Sequence, residues 1–287
     1  MKKIFISVGL LITGLCLTGC SQINNMENIT IYTSSYPIEF VTKELYGEHS
    51  KVYNMYPQGI DASEYKLTDK QISDYAQADL IIYNGLSNEQ KYIVKMINKN
   101  NKLKIIDATS KIEYTTDTNE IWINPSNLLK ISKNIKDGLN EYVTSTLISE
   151  EINENYENLK VEISTMDAEM KEMVENSSEK VMVVSTDKLN FLTKYGLTVY
   201  SLDENSINDK TLTDAKKTIS GGTVKYIYMI KGEEKTETVN KILEENSSVQ
   251  VIEIDPLNNI STEDKNDGKT YITIMNENID KFKQELY

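Results

Sequence analysis

The chain has 287 residues, one His, two Cys and a formal net charge of −13. Two lobes of roughly 100 to 150 residues fit that length, each able to bury its own core, and 39% hydrophobic with 26% charged residues is the balance of a soluble globular protein. The acidic excess argues against nucleic acid as a partner, and because every basic residue is Lys, no bidentate guanidinium clamp for a carboxylate or phosphate exists.

Lys2 and Lys3 precede an apolar run over 4–17 that is too short to span a membrane comfortably and has the form of an export signal. It ends in Leu17-Thr18-Gly19-Cys20, which looks like a bacterial lipobox, so cleavage before Cys20 would leave that thiol to carry the lipid. The mature protein would then sit anchored on the extracytoplasmic face of the cell membrane. Cys16 leaves with the signal, and no thiol remains for a disulfide, a thiolate ligand or a nucleophile. Losing residues 1–19 removes two Lys and no acid, taking the net charge from −13 to −15. Residues 20–28 then read as a short polar tether.

Strands are expected over 29–32, 51–55, 80–83 and 103–106, with helical patterns between them. Thr68 with Gln71 has the T-x-x-Q spacing of a capping box, which starts a helix near Asp69 and carries it to about Ala76. Asn84-Gly85 is the turn signal after the strand at 80–83. Over 150–178 the residues Ile152, Tyr156, Leu159, Ile163, Met166, Met170 and Met173 recur at alternating spacings of four and three, the stripe of one long helix of about 40 Å. A 3.5-residue period also fits a coiled coil. Strands over 181–185, 198–201, 224–230 and 249–254 follow, with a helical stretch over 233–245. Alternating strands and helices imply βαβ units, hence an α/β fold of two lobes, each a mostly parallel sheet flanked by helices, joined by the long helix. The lobes are assigned to 29–148 and 179–287, with the linking helix at 149–178.

The stretch over 56–85 carries the most specific signal. Gly59, Asp61, Tyr65 and Thr68, then a helix, then Ala78-Asp79-Leu80-Ile81-Ile82-Tyr83-Asn84-Gly85, resemble the zinc- and manganese-type (cluster A-I) solute-binding lipoproteins of bacterial ABC importers. Ser34-Ser35-Tyr36-Pro37-Ile38 resembles that family's opening motif, and 271–278 its closing helix. The resemblance implies a metal site between the lobes, formed by side chains of four loops, and an ABC permease as membrane partner, with the chain read as a monomer. Residue by residue, Ser63 stands at the first His of G-x-D-P-H-x-Y-x-P-T, with Ala62 at its Pro. Glu120, in Glu120-Ile121-Trp122-Ile123-Asn124-Pro125, stands at the second His. Thr186 takes the third, in Ser185-Thr186-Asp187 followed by Phe191 and Tyr195-Gly196-Leu197. Asp255 of Asp255-Pro256-Leu257 matches the family's carboxylate.

Three imidazoles are therefore replaced by oxygen groups, and the acidic His-rich loop of many zinc-type members is missing. Zinc favours nitrogen and sulfur ligands. An all-oxygen set of Ser63, Glu120, Thr186 and Asp255 suits a hard cation such as Mn²⁺, Mg²⁺ or Ca²⁺, held chiefly by Glu120 and Asp255, with affinity reduced because hydroxyls are weak neutral ligands. The same residues admit a structural reading: Ser63 and Thr186 as turns or caps, Glu120 as a solvated rim charge, Asp255 as a strand end held by backbone amides. The sole His49, in Gly47-Glu48-His49-Ser50, reads as a solvated residue of a surface turn. No enzyme is expected, since a Ser or Cys triad lacks its His and thiol and no P-loop is present. Two functions remain: an importer's solute-binding lipoprotein with a diverged His-free site, or a surface interaction module with no transported solute.

Overall fold

The structure is a computed structural model and describes residues 26–57, 60, 65–113 and 120–287. The signal segment, Cys20, Gly59, Asp61, Ala62 and Ser63 lie outside the described residues. Two four-stranded sheets, both wholly parallel, form the lobes. The first joins β1 (Ile29–Thr33), β2 (Ser50–Asn54), β3 (Leu80–Tyr83) and β4 (Lys104–Asp107) in the order β2-β1-β3-β4. The second joins β5 (Val181–Val184), β6 (Thr198–Ser201), β7 (Tyr226–Ile230) and β8 (Gln250–Ile254) in the equivalent order β6-β5-β7-β8. Around the first lie α1 (Tyr36–Tyr46), α2 (Asp69–Tyr75), α3 (Gln90–Lys99) and α4 (Pro125–Tyr142). The long helix α5 (Thr146–Glu175) precedes the second sheet, which carries α6 (Asp209–Ser220), α7 (Glu237–Glu245), α8 (Thr262–Asn266) and α9 (Tyr271–Leu286). The two-lobed α/β architecture expected from the alternation is the one observed.

Local chemistry sets the element ends. Thr68 accepts from the Gln71 N–H while the Gln71 side chain accepts from the Thr68 N–H, so α2 starts where the capping box places it. Gly85 is required by close approach: a Cβ there would lie 2.2 Å from the Asp107 carboxylate, which accepts from the Gly85 N–H at 3.1 Å. The stretch expected to be helical from 233 becomes helix only at Glu237, because Gly232 takes a left-handed φ of 91° in the turn after β7 and Thr236 supplies the cap, accepting from Val239 N–H.

Helix α5 begins four residues earlier than its stripe suggests, capped by Ser145. All seven stripe residues are buried, as are Ile148 and Val174. They sit in one apolar cluster with β-strand residues of both lobes, among them Ile31, Leu80 and Ile82 on one side and Met182, Val184 and Tyr228 on the other, and with Tyr271, Met275, Ile279 and Phe282 of α9. The stripe is thus used inside the molecule, which leaves the coiled-coil alternative without a face. Two smaller clusters fill the outer side of each sheet.

Two expectations need correction. The chain joins the core before the tether boundary at residue 28, since Met26 is 0% exposed and its carbonyl accepts from the Tyr46 hydroxyl. His49 is not merely solvated: its Nε2 lies 2.9 Å from Glu151 Oε2 on α5, tying the 3₁₀ turn Gly47–His49 to the long helix.

Ile163 is 1% exposed at the middle of α5. Ile163→Pro removes a backbone hydrogen bond and clashes with the preceding turn, costing about 3 kcal/mol or more before any loss of packing. The expected outcome is a sharply lower thermal midpoint and reduced helicity by circular dichroism; an unchanged midpoint would rule out a continuous helix there.

Candidate solute-binding cleft

In open parallel sheets, ligands are met in the crevice beyond the carboxyl ends of the strands, where neighbouring connections diverge. Here those points are the ends of β1 and β3 in one lobe and of β5 and β7 in the other. Thr186, Lys188, Lys231, Glu233 and Asp255 all follow C-lobe strands directly, while Glu120 comes from the N-lobe loop before the 3₁₀ turn Ile121–Ile123. Glu120, Lys188, Lys231, Glu233, Asp255 and Asn258 are among the residues lining one cleft of about 440 Å³.

Glu120 is only 8% exposed, so it is no rim charge. Its backbone is left-handed at φ 61°, unusual for a residue with a side chain, and the loop is held by Trp122 Nε1 donating to the Pro256 carbonyl at 3.0 Å. Its Oε1 accepts from the Asn258 side chain at 3.3 Å and its Oε2 lies 2.8 Å from Lys188 Nζ. The same ammonium lies 2.8 Å from Glu233 Oε1. Burial pushes Lys188 toward its neutral form, yet the carboxylates of Glu120 and Glu233 outweigh that and hold its pKa above the ordinary lysine value.

Asp255 is fixed from three sides. Its Oδ1 accepts from Leu257 N–H at 2.9 Å, its Oδ2 lies 3.4 Å from Lys231 Nζ, and its backbone N–H and carbonyl both bond the side-chain amide of buried Asn278 at 2.9 Å. The closing helix α9, through Asn278, therefore positions the strand end that carries this carboxylate.

Thr186 follows β5 but does not line the cleft. Its Oγ1 accepts from Lys188 N–H and donates to Asp203 Oδ2, both at 3.4 Å, which is the work of a cap. The structure brings Glu120 and Asp255 to one cleft and leaves Thr186 behind it, while Ser63 is outside the described residues. Among the described residues no group of three or more His, Cys, Asp or Glu is placed to hold a metal ion.

Sequence reasoning missed Lys188 and Glu233. They stand four and three residues beyond a strand, positions that signal a cleft residue once the parallel sheet is known. It also missed Glu89, which is 6% exposed beneath the ends of β1 and β3, with Ser34, the Asn84 N–H, Tyr56 and Ser87 around it.

Comparison with known proteins places this geometry. Residues 31–285 match the family described as zinc-uptake complex component A, periplasmic. The chain belongs to this family. The family is a component of an uptake complex rather than an enzyme. Among its relatives is the zinc-binding lipoprotein AdcA of Streptococcus pneumoniae, 23% identical over 99% of this chain and 61% of AdcA. The manganese ABC transporter substrate-binding lipoprotein PsaA of the same species is 26% identical over 65% of the chain and 66% of PsaA. The chain thus spans about three-fifths of the length of the AdcA relatives it matches. The Zn(II)-bound ZnuA-like domain of S. pneumoniae AdcA superposes with a TM-score of 0.72 at 22% identity, covering 90% of this chain and 99% of that domain. The metal-dependent lipoprotein YcdH of Bacillus subtilis gives 0.74 at 20%, with 90% and 99% covered.

Burial raises the Glu89 pKa from 4.5 to about 7 against the hydrogen bonds that oppose it. The folded protein therefore holds this proton more tightly than the unfolded chain. The stabilisation is complete below pH 4.5 and is lost as pH rises through about 7, a loss on the order of 3 kcal/mol. Glu89→Gln is expected to flatten that decline and to raise the denaturant midpoint near neutral pH and above. Parallel pH profiles of the two proteins would refute a buried, titrating Glu89.

Proposed function

We propose that this chain is the membrane-anchored solute-binding lipoprotein of a metal-type ABC importer, with a cleft that has exchanged imidazole for oxygen and ammonium groups. The observation that carries the reading is the convergence of Glu120 from the N lobe and Asp255 from the C lobe on one interlobe cleft, in a chain whose family match runs over 31–285. The family match favours this reading over a surface module with no solute. The lipobox at Cys20 supplies the anchor. Among the described residues no helix is long and apolar enough to cross a membrane; a lipid on Cys20 would hold the protein with about 0.8 kcal/mol per buried methylene. The partner is an ABC permease whose ATPase drives release and transport.

The donor set takes the cleft out of the zinc class. Glu120 and Asp255 offer carboxylate oxygen and nothing softer, and the sole imidazole of the chain, His49, is engaged with Glu151 on the long helix. Taken without the lysines beside them, these two carboxylates suit a hard divalent ion and serve zinc least.

Two measurements test the reading. Cys20→Ala is expected to move the protein from the membrane fraction to the medium, and unchanged retention would end the lipoprotein assignment. Zinc is expected to leave the melting temperature of the mature protein nearly unchanged, whereas a ligand present at 100 times its dissociation constant would add about 2.7 kcal/mol. A clear zinc-induced rise that Glu120→Ala and Asp255→Ala abolish would show that oxygen ligands suffice.

A further inference from the structure

We infer that Lys188 is a tethered cation: its ammonium occupies the cleft in place of a free metal ion and decides that the unmodified cleft refuses divalent cations. This rests on the importer reading above and concerns the same cleft. The ammonium lies 2.8 Å from a carboxylate oxygen of each lobe, Glu120 Oε2 on one side and Glu233 Oε1 on the other. Side-chain exposures of 17% for Lys188 and 7% for Glu120 remove most of the solvent that weakens a surface pair.

The rest of the cleft is neutralised in the same manner. Asp255 has Lys231 at 3.4 Å, and Asp264 has Lys269 at 3.2 Å. Each of these carboxylates on the cleft wall therefore has a lysine in ion-pair range. A divalent ion entering between Glu120 and Glu233 has to expel an ammonium that is covalently attached. The attached group gives up no translational freedom on binding, whereas the free ion does. Lys188 stands two residues past Thr186, in the first turn of the 3₁₀ helix that Thr186 caps.

Removing the ammonium reverses the balance. Lys188→Met leaves a buried carboxylate facing a second one across the lobes, without the ammonium between them. Such a pair is strongly unfavourable until a cation or a proton joins it. Oxygen donors of this type suit Mn²⁺ or Ca²⁺ better than Zn²⁺.

The test is calorimetric titration of MnCl₂, CaCl₂ and ZnCl₂ into the mature chain, Lys188→Met, and the double variant Lys188→Met/Glu120→Gln. The expected result is no saturable binding by the native chain, a gain of roughly tenfold or more for Mn²⁺ in Lys188→Met, and loss of that gain in the double variant. A merely structural ion pair would lower stability without creating a metal site. Should Lys188→Met fail to fold, Lys188→Gln keeps a hydrogen-bond donor to Glu120 and is titrated instead. Tight stoichiometric binding by the native chain overturns the inference while leaving the importer reading intact. Folded Lys188 variants with no gain overturn it as well. The importer reading fails separately, if the native lipoprotein neither stays with the membrane nor associates with its permease, whatever Lys188 does.

Discussion

The apolar seam along α5 is the constraint on which the rest of the molecule depends. Residues from Ile148 to Val174 bury one stripe of a 30-residue helix in a core that reaches both sheets and the closing helix. Burying a single large apolar side chain contributes roughly 1.5 to 3 kcal/mol, so nine such residues outweigh any one polar contact between the lobes. Two sheets that share a core cannot swing apart through a soft linker, since separating them would expose that stripe. The relative placement of the strand ends, and with it the cleft, follows from the seam.

Given that placement, the loops at the strand ends are free to carry costly features. Glu120 and Leu257 both hold left-handed φ values, 61° and 58°, which cost residues with side chains roughly 1 to 2 kcal/mol each. Both lie in loops pinned from across the molecule: Trp122 to the Pro256 carbonyl, Tyr271 to the Trp122 carbonyl, Glu120 to Asn258. Backbone strain of this kind persists where surrounding structure over-determines it, and it clusters where function is assembled. Here it presents two carboxylates from different lobes to one volume.

Periodicity and capping made the framework legible. The capping box at Thr68 and Gln71 set the start of α2, the alternation of apolar runs set the strands to within about two residues, and the four-three spacing set the long helix. These are local signals, each decided within a few residues of chain. The helix expected from 233 was the exception, because apolar spacing alone does not register the turn that Gly232 forces; Thr236 was the readable correction. Motif position also pointed to Glu120 and Asp255, which line one cleft. What local pattern could not give was the pairing: Glu120 and Lys188 are 68 positions apart, and Glu120 reads as a surface acid until the fold buries it. Thr186 shows the converse. Its position in the motif suggested the cleft, but Asp203, 17 residues on, claims its hydroxyl. Met26 was obscured by its polar neighbours, since one apolar residue among Asn and Glu carries no periodic signal.

The two lobes resolve the same electrostatic problem in opposite ways. Beneath the first sheet's switch point a carboxyl, Glu89, is buried with hydroxyls and a backbone amide, and burial raises its pKa to about 7, so its charge follows the proton. Above the second, a lysine is brought to the carboxylates, its ammonium 2.8 Å from an oxygen of Glu120 and of Glu233. A proton is available everywhere and imposes no geometry, whereas an ammonium at 2.8 Å from two oxygens fixes where both must stand. The first solution leaves the N-lobe strand ends dependent on pH, and the second ties Glu120 of one lobe to Glu233 of the other. The lobe that carries Lys188 thus reaches across the cleft to Glu120, whereas Thr186 spends its hydroxyl on Asp203.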